Sequence, residues 1–352
     1  TIWETGRLST NRPTNKQYAI LEPEINTLNT NDLNVKLYHH LIKLNSLLIA
    51  PLNLSEDKRI YVIPDGELNF LNFGLLTPDI IESKNLFPRD GEDDNDFGTF
   101  KFSDLAFLDR RIEVSYAISS ESLYSNHVHE TAVAPMPING ALSMVVTGRI
   151  NNQQKFERTA ESDIFVKTYN TIAKLAPNQH TTFDSTQPYK REDFYQAYEN
   201  AAMAYLHVHS RKQDFEDNEH LLGLIINNSK IEEENLLTQE HILEHLQSNT
   251  QLLLVLNAKQ STIKSPLLLN AFIKNGSKNI LSNIYRIDGA TAENISIDFL
   301  RKLIKGHTMG EALHLVKRKM IEKGTFSHPT YWGASVFFGN AQLKIQPAQD
   351  DE

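Results

Sequence analysis

Hydrophobic and polar positions alternate along this chain with two periods, one typical of helices and one typical of strands. From Asp32 to Ala50, apolar side chains recur every three or four residues, which predicts a helix with one buried face. The β-branched run over 59–64 (RIYVIP) predicts a short strand that ends in a Pro-Asp-Gly turn. Residues 1–33 have no sustained period, and we interpret them as an N-terminal lead-in.

Strand and helix patterns alternate from residue 141 onward. Strands are predicted over 141–148, 203–210, 251–258, 277–286 and 332–338, with 221–227 as the arm of a short hairpin. Helices are predicted over 158–174, 193–200, 238–247, 266–275, 290–304 and 308–322. This alternation indicates a mostly parallel sheet covered by helices on both faces. Functional residues in such sheets lie at the carboxyl ends of the strands. At two such predicted ends this chain carries His207, His209 and the run 257–260.

The composition restricts the partners that we expect. With 40% hydrophobic and 22% charged residues, the chain has the make-up of a core-forming globular protein. Its formal net charge of -9 provides no basic stripe for phosphates, so we expect no nucleic-acid partner. Its apolar runs are much shorter than the roughly 20 residues of a transmembrane helix, so we expect no membrane span. We expect a cytoplasmic protein, with a periplasmic or membrane-associated location as the alternative, and further residues upstream of Thr1.

Cysteine is absent from the whole chain, and acidic residues cluster in one segment. The absence of cysteine excludes disulfides, thiolate zinc sites and cysteine nucleophiles. The segment 84–104 is rich in Asp among glycines, and it predicts a solvated surface loop, with docking of a partner as the alternative.

Several segments carry a family resemblance when they are taken together and in order. They are IYVIPDGELNFLNFGLL (60–76), RRIEVSYAISSESL (110–123), AYLHVHS (204–210), LLLVLNAK (252–259), the segment 270–306, GEALHLVKRKM (310–320) and HPTYWGASVFFGN (328–340). Together they resemble the CHAT domain, a caspase relative that is often found behind tetratricopeptide repeats in bacteria. The likeness spans residues 34–340, which is nearly the whole chain.

The resemblance implies a caspase-like three-layer α/β/α fold, built of two caspase-like halves with mostly parallel sheets. The implied division is a lead-in over 1–33, a degenerate, non-catalytic half over 34–140, a second half over 141–345 and a tail over 346–352. The resemblance also implies a tetratricopeptide-repeat domain upstream and protein partners.

The second half of a CHAT domain carries a Cys-His dyad, in which the histidine withdraws the thiol proton and the thiolate attacks a carbonyl. The family histidine matches His209 of this chain. The family ending L-S-A-C-E-T reads Leu-Asn-Ala-Lys-Gln-Ser here, which aligns Lys259 with the cysteine. Ser210 stands where the family usually has glycine, and its Cβ narrows the space for a substrate carbonyl. We therefore predict a pseudoprotease without enzymatic activity.

Side chains near these positions leave chemical alternatives open. Lys259 itself would act as a nucleophile or base if burial lowered its pKa. Ser261 would act as a serine nucleophile with His209, from two residues beyond the expected position. His207 and His209 alternate by two and share a sheet face, where they would hold a metal together with Asp214, Glu216 or His220. Our prediction is nonetheless that neither a metal nor another cofactor is bound.

A peptide pocket is predicted around the two dyad positions. Its residues are His209, Ser210, Asp214, Asn257, Lys259 and Asp288. In relatives an acidic pocket residue selects basic side chains. Asp288 lies in the loop YRIDGAT, and Asp214, Glu216 and Asp217 follow the histidine strand, so both places offer such acids.

Three hypotheses for function follow from these residues. The main one is a protein-interaction or scaffold module in a larger assembly, with an unidentified protein partner. The first alternative is a hydrolase or peptidase with a relocated nucleophile or with a metal at His207 and His209. The second is a sensor in which pH-dependent binding near His209 shifts an attached effector.

Overall fold

The fold is taken from a computed structural model. The residues that it describes are 30–54, 59–65, 68–69, 71–78, 102–117, 119–121, 123–124, 135–145, 149–150, 156–157, 162–177, 179–184, 189–212, 222–226, 236–246, 252–258, 266–285, 287, 289–323 and 326–347. The helices are α1 (Thr30–Leu48), α2 (Leu108–Arg111), α3 (Ser162–Ala173), α4 (Arg191–Asn200), α5 (Gln239–His245), α6 (Pro266–Lys274), α7 (Gly289–Ile304), α8 (Met309–Glu322) and α9 (Pro329–Trp332). Short 3₁₀ turns lie at Ala50–Leu52, Phe73–Leu75 and Phe102–Asp104.

The strands include those that the alternating pattern predicts and further short strands that it does not predict. They are β1 (Ile60–Val62), β2 (Val114–Tyr116), β3 (Met136–Pro137), β4 (Ala141–Val145), β5 (Arg149–Ile150), β6 (Phe156–Glu157), β7 (His180–Asp184), β8 (Met203–Lys212), β9 (Leu222–Ile225), β10 (Leu236–Leu237), β11 (Leu253–Ala258), β12 (Ile280–Asn283), β13 (Ser335–Phe338) and β14 (Ile345–Gln346).

Most strands belong to one central sheet, which has ten strands within the part of the chain that the structure describes. Its order is β1-β2-β13-β12-β11-β8-β4-β7, and β9 joins it through β8, with β10 beyond β9. The pairs β12-β11, β11-β8, β8-β4 and β4-β7 are parallel, whereas β13 runs antiparallel to β12. The predicted α/β fold with a mostly parallel sheet is therefore confirmed.

One face of this sheet is apolar. Leu254 and Leu256 of β11 join Leu206 of β8 in a buried cluster with side chains of α4, α5 and α6, among them Phe194 and Phe272. Because successive side chains of a strand point to opposite faces, every second residue of β8 and β11 lies in this cluster. Burial of these side chains drives α4, α5 and α6 onto this face.

The opposite face carries the remaining side chains of the same strands. Helices α3 and α7 cover it, since α7 packs against β11 and α3 packs against β4 and β7. Several polar side chains are buried there, including Ser143, Tyr205 and Asn257. The sheet therefore has helices on both faces, and the layer of α4, α5 and α6 is the more apolar of the two.

The chain divides into two compact units. Unit 1 comprises Thr1–Ile60, Asn72–Val114 and Lys317–Gly333. Unit 2 comprises Tyr61–Leu71, Ser115–Val316 and Ala334–Glu352. The division at residue 141 that the resemblance implies stays a prediction.

The last predicted strand begins later than the sequence pattern indicates. Residues Pro329–Trp332 form α9, so the strand starts at Ser335 instead of Trp332. Proline at the first turn and the His328 side chain, which accepts a hydrogen bond from the Thr330 amide, favour this helical turn. The indole of Trp332 is buried in unit 1 against Phe107, with ring centroids 5.0 Å apart.

Helix length and hydropathy also bear on the membrane prediction. Among the helices that the structure describes, none is long and apolar enough to cross a bilayer.

Candidate functional site

The carboxyl ends of β8 and β11 lie side by side in parallel register. The paired residues run from Leu253 with Met203 to Ala258 with Val208. Residues 209 and 259, the two dyad positions of the predicted site, each follow this last pair directly along the chain. β8 continues through residue 212 and pairs antiparallel with β9, where His209 is opposite Ile225.

Most of the predicted site residues have side chains that lie outside the described part of the structure. For His209 and Ser210 only the backbone is described, as part of β8. The others that lie outside the described residues are Asp214, Glu216, Asp217, His220, Lys259, Ser261 and Asp288. Their assignment to a pocket stays a prediction. His207 and Asn257 are the two members of the site whose side chains the structure describes, and both are buried.

Asn257 is the last but one residue of β11 and is only 2% exposed. Its amide nitrogen donates to the Tyr205 hydroxyl at 3.2 Å and to Ser296 Oγ of α7 at 2.7 Å. Its amide oxygen accepts from the Asn283 amide nitrogen of β12 at 3.5 Å, and Ser335 Oγ of β13 donates to Asn283 Oδ1 at 2.8 Å. Asn257 therefore joins side chains from three strands and one helix.

The Ser296 hydroxyl has two acceptors within reach but only one proton. It lies 2.9 Å from the Ala292 carbonyl oxygen and 3.1 Å from Asn257 Oδ1. Because Ser296 accepts from Asn257 at the shorter distance of 2.7 Å, its own proton goes to the Ala292 carbonyl. Each side chain therefore donates to the next one. Ser335 donates to Asn283, Asn283 to Asn257, Asn257 to Ser296, and Ser296 to the backbone of α7.

A second branch leaves Asn257 through Tyr205. The Tyr205 hydroxyl also hydrogen-bonds Thr168 of α3, and Thr168 donates to Glu293 Oε1 of α7 at 2.8 Å. Since the single Thr168 proton goes to Glu293, Tyr205 donates to Thr168. Burial, with a smaller contribution from the nearby Glu293 carboxyl, raises the pKa of the Tyr205 phenol well above its ordinary value. The phenol therefore stays protonated and serves as a donor in this branch.

His207 lies beside Asn257 in the sheet. It pairs in register with Asn257 on one side and with Val145 on the other, and it is 1% exposed. Among the residues that the structure describes, no group of three histidine, aspartate or glutamate side chains is placed to hold a metal ion. The metal alternative at His207 and His209 depends on a side chain outside these residues, so it remains untested.

A serine–histidine contact occurs elsewhere on the same face. Ser143 Oγ of β4 lies 2.9 Å from His180 Nε2 of β7, and Thr182 Oγ1 is 3.4 Å from Ser143 Oγ. Burial lowers the pKa of the His180 imidazole to about 4. Because Ser143 is 1% exposed and lies in the middle of its strand, we interpret this pair as a buried structural contact.

The sequence patterns did not single out Thr168, Glu293 and Ser296 as part of the site. A weak signal was present, because Glu293 and Ser296 are polar residues at buried positions of the amphipathic helix α7. Buried polar side chains are normally hydrogen-bonded, so such positions indicate a partner on the neighbouring layer. The partner itself is 39 residues away in the sequence for Ser296, and it is visible only in the fold.

The parallel register and the helices on both faces define an α/β domain with a mostly parallel central sheet. A family model of the CHAT domain matches residues 37–340, and the chain belongs to this family. The family resemblance of the sequence motifs is thereby confirmed. None of the curated proteins matches the chain.

Solved structures with a similar fold are distant in sequence. The chain is similar to the Arg-specific cysteine proteinase gingipain R of Porphyromonas gingivalis, with 12% identity, a TM-score of 0.45 and coverage of 67% of this chain and 56% of that one. It is similar to Saccharomyces cerevisiae separase in complex with securin, with 12% identity, a TM-score of 0.43 and coverage of 68% and 14%. It is similar to the Drosophila initiator caspase Dronc, with 10% identity, a TM-score of 0.37 and coverage of 62% and 89%. The chain thus spans 56% of the gingipain chain and 14% of the separase chain.

These comparisons correct the prediction that the chain is not an enzyme. The family that the model assigns is peptidase-related, and the comparisons do not show that the nucleophile is replaced. The prediction depended on the replacement of the nucleophile at Lys259, which lies outside the described residues. The comparisons support a peptidase-related domain.

Proposed function

We propose that this chain is a peptidase-related CHAT domain that binds an extended peptide of a protein partner at the carboxyl ends of β8 and β11. The observation that supports this proposal is the parallel register of the two strands, which ends with Val208 beside Ala258. Ligands of parallel α/β sheets bind beyond the carboxyl ends of the strands, where loops supply the contacts. In this role the domain would serve as an interaction module within a larger assembly.

The proposed peptide carries a basic side chain. Along the sequence, Asp214 comes after β8 and Asp288 after β12, and the whole chain has a net charge of -9. An ionised carboxylate forms a stronger hydrogen bond with Arg or Lys than a neutral group does. A complementary charge also accelerates the encounter of the two partners at low ionic strength.

Binding of a defined peptide panel tests this function. The panel holds short synthetic peptides that differ only in one central residue, which is Arg, Lys, Ala or Glu. We expect saturable binding of the Arg and Lys peptides, and Asp288→Asn should weaken it about 10-fold because the remaining oxygen acceptor no longer carries a charge. The matched control is Asp193→Asn, which neutralises an exposed acid at the start of α4. The proposal would be contradicted if all four peptides bound with the same affinity, or if none bound.

Hydrolysis is the second candidate, and membership of a peptidase-related family favours it. Because the sequence contains no cysteine, the reaction would need Lys259 as nucleophile or base, Ser261 activated by His209, or a water on a metal held by His207 and His209. Incubation of the bound peptides followed by mass spectrometry would detect products, and elemental analysis would detect a metal. Loss of turnover in Ser261→Ala, with turnover retained when the exposed Ser46 is changed to Ala, would assign the serine.

The partner, an upstream repeat domain and a cytoplasmic location stay predictions. Purification of the intact protein with its native partners, followed by mass spectrometry, addresses the first two together. Partners in stoichiometric amount would agree with an interaction module.

A further inference from the structure

On β11 and β12, the amide side chains of the face covered by α3 and α7 lie at the carboxyl ends of the strands. On β11 this face carries Leu253 and Val255 first and Asn257 last. On β12 it carries Leu281 and then Asn283 at the final position of the strand. The change from apolar to amide side chains therefore occurs in both strands just before the edge of the sheet.

A strand does not need this amide layer in order to be buried. Leu254 and Leu256 already anchor β11 in the apolar cluster on the other face. Hydrophobic contact is not directional, so a small shift of a strand end costs little free energy. Hydrogen bonds have narrow limits of distance and angle, and a buried network that loses one member leaves others unsatisfied.

From this arrangement we infer that Asn257 and Ser296 are positioning residues, which fix the end of β11 to α7 and thereby hold the site that begins two residues later. The inference rests on the proposed function in one respect, which is that the site binds a peptide. The position of the strand end, by contrast, is a property of the protein without any peptide. It is held by the 2.7 Å hydrogen bond from the Asn257 amide nitrogen to Ser296 Oγ.

The two helices differ in what they contribute to β11. The apolar cluster includes α6 side chains such as Leu268 and Phe272, whose contacts are set by shape and volume. Ser296 of α7 offers one lone pair to Asn257 and donates its own proton to the Ala292 carbonyl, so its hydroxyl acts as acceptor and donor at once. Removal of the Ser296 hydroxyl leaves one Asn257 proton without its acceptor, although the volume of the side chain hardly changes.

Ser296→Ala is the test variant, and Tyr198→Phe is the matched control. Tyr198 makes a buried hydrogen bond of similar length, 3.0 Å, with Ser277 in the layer on the opposite face. Amide hydrogen exchange of the segment 252–258 is measured in the free protein, together with the thermal midpoint and the affinity for the Arg peptide. For Ser296→Ala we expect about 10-fold faster exchange of this segment and about 10-fold weaker peptide binding, as the loss of one buried hydrogen bond implies. Tyr198→Phe should lower the thermal midpoint by a similar amount and leave both of the other readouts unchanged.

Equal exchange of the segment in Ser296→Ala and Tyr198→Phe would overturn the inference. If the wild-type protein binds no peptide of the panel, the proposed function fails, whereas the exchange comparison needs no ligand and still decides the positioning role. If Ser296→Ala does not fold, Asn257→Asp replaces it. This change keeps the shape of the side chain and removes the hydrogen bonds that it donates to Tyr205 and Ser296. Faster exchange at the end of β11 is again the expected result, and unchanged exchange would overturn the inference.

Discussion

Asp109 and Lys317 form an ion pair in unit 1 in which both side chains are 1% exposed and Lys317 Nζ lies 2.8 Å from Asp109 Oδ2. Asp109 belongs to α2 and Lys317 to α8, and 208 residues separate them in the sequence. Removal of two charges from water costs free energy, which their mutual attraction offsets only if both partners are present in good geometry. The pair therefore connects two distant segments of unit 1, and neither member tolerates the loss of its partner.

Replacement of Lys317 by methionine should strongly destabilise the protein. The substitution leaves the Asp109 carboxylate buried without its cation, which typically costs about 3–5 kcal/mol. Urea unfolding of the wild type and the variant measures this difference. The control is Arg318→Met, since Arg318 is exposed and its ion pair with Glu322 at 3.7 Å is worth about 0.5 kcal/mol. Equal stability of the two variants would contradict the role of the buried pair.

Gly74 should not accept a side chain, because a Cβ at this position would overlap the Asp109 carboxyl group. Gly74 lies in the 3₁₀ turn Phe73–Leu75, where its amide donates to Asn72 Oδ1 at 2.8 Å. Gly74→Ala therefore has to displace Asp109 from Lys317, and we expect a loss of about 3 kcal/mol, comparable to that of breaking the pair. In the double variant Gly74→Ala and Asp109→Ala, the added cost of Gly74→Ala should largely disappear. Additive effects of the two changes would argue against a direct clash.

Stability should fall as the pH drops from 6.5 toward 4. Burial lowers the pKa of His328 to about 4, and the same cause lowers the pKa of His180 to about 4. Between the ordinary histidine pKa and these values, the unfolded chain binds a proton that the folded protein does not bind. Each histidine then contributes a loss of up to about 1.4 kcal/mol per pH unit. Above pH 7 this contribution to stability is fully present.

The surroundings of His328 explain why it remains neutral. Its Nδ1 accepts from the Thr330 amide at 3.2 Å, its Nε2 lies 3.3 Å from Asn34 Oδ1, and its ring contacts Phe102. A proton on Nδ1 would remove the acceptor of the Thr330 amide. Thermal unfolding from pH 4 to pH 8 measures the effect, and His328→Gln should flatten the acidic part of the profile. His40→Gln, at an exposed position of α1, is the control and should leave the profile unchanged.

The sequence predicted the central elements of the sheet because their apolar runs are continuous. β11 and β8 were expected within two residues of their observed ends, since buried parallel strands need no polar face. β7 was missed, because its sequence His-Thr-Thr-Phe-Asp lacks an apolar pattern. It lies at one end of the strand order of the described sheet and pairs with β4 in parallel register. Pairing of backbone groups does not require apolar side chains, so the hydrophobic pattern of the sequence does not reveal it.

The site was predicted less completely than the fold. Asn257 was assigned to a peptide pocket from its position in the family motif, but its amide is occupied by Tyr205 and Ser296, which are 52 and 39 residues away in the sequence. Such pairings arise when α7 folds back over β11, and a single sequence carries no record of them. A buried polar residue indicates that a partner exists, but only the fold identifies it.

The direction of the hydrogen bonds on this face gives a last prediction, which compares two threonines of α3. Thr168 donates to Glu293 and hydrogen-bonds Tyr205, whereas Thr171 donates to the carbonyl of Lys167 in its own helix at 2.8 Å. Both are buried, and valine has nearly the same shape as threonine. Thr168→Val should cost about 1–3 kcal/mol, because Tyr205 and Glu293 each lose a buried partner.

Thr171→Val should have a much smaller effect, since the Lys167 carbonyl keeps its place in the helix and the lost bond is local. Chemical unfolding of the two variants gives the difference in stability. The near-ultraviolet circular dichroism of the tyrosines reports whether Tyr205 has moved. If Thr171→Val destabilised the protein as much as Thr168→Val, volume and burial would explain both results, and the directed chain from Asn257 through Tyr205 to Glu293 would have to be abandoned.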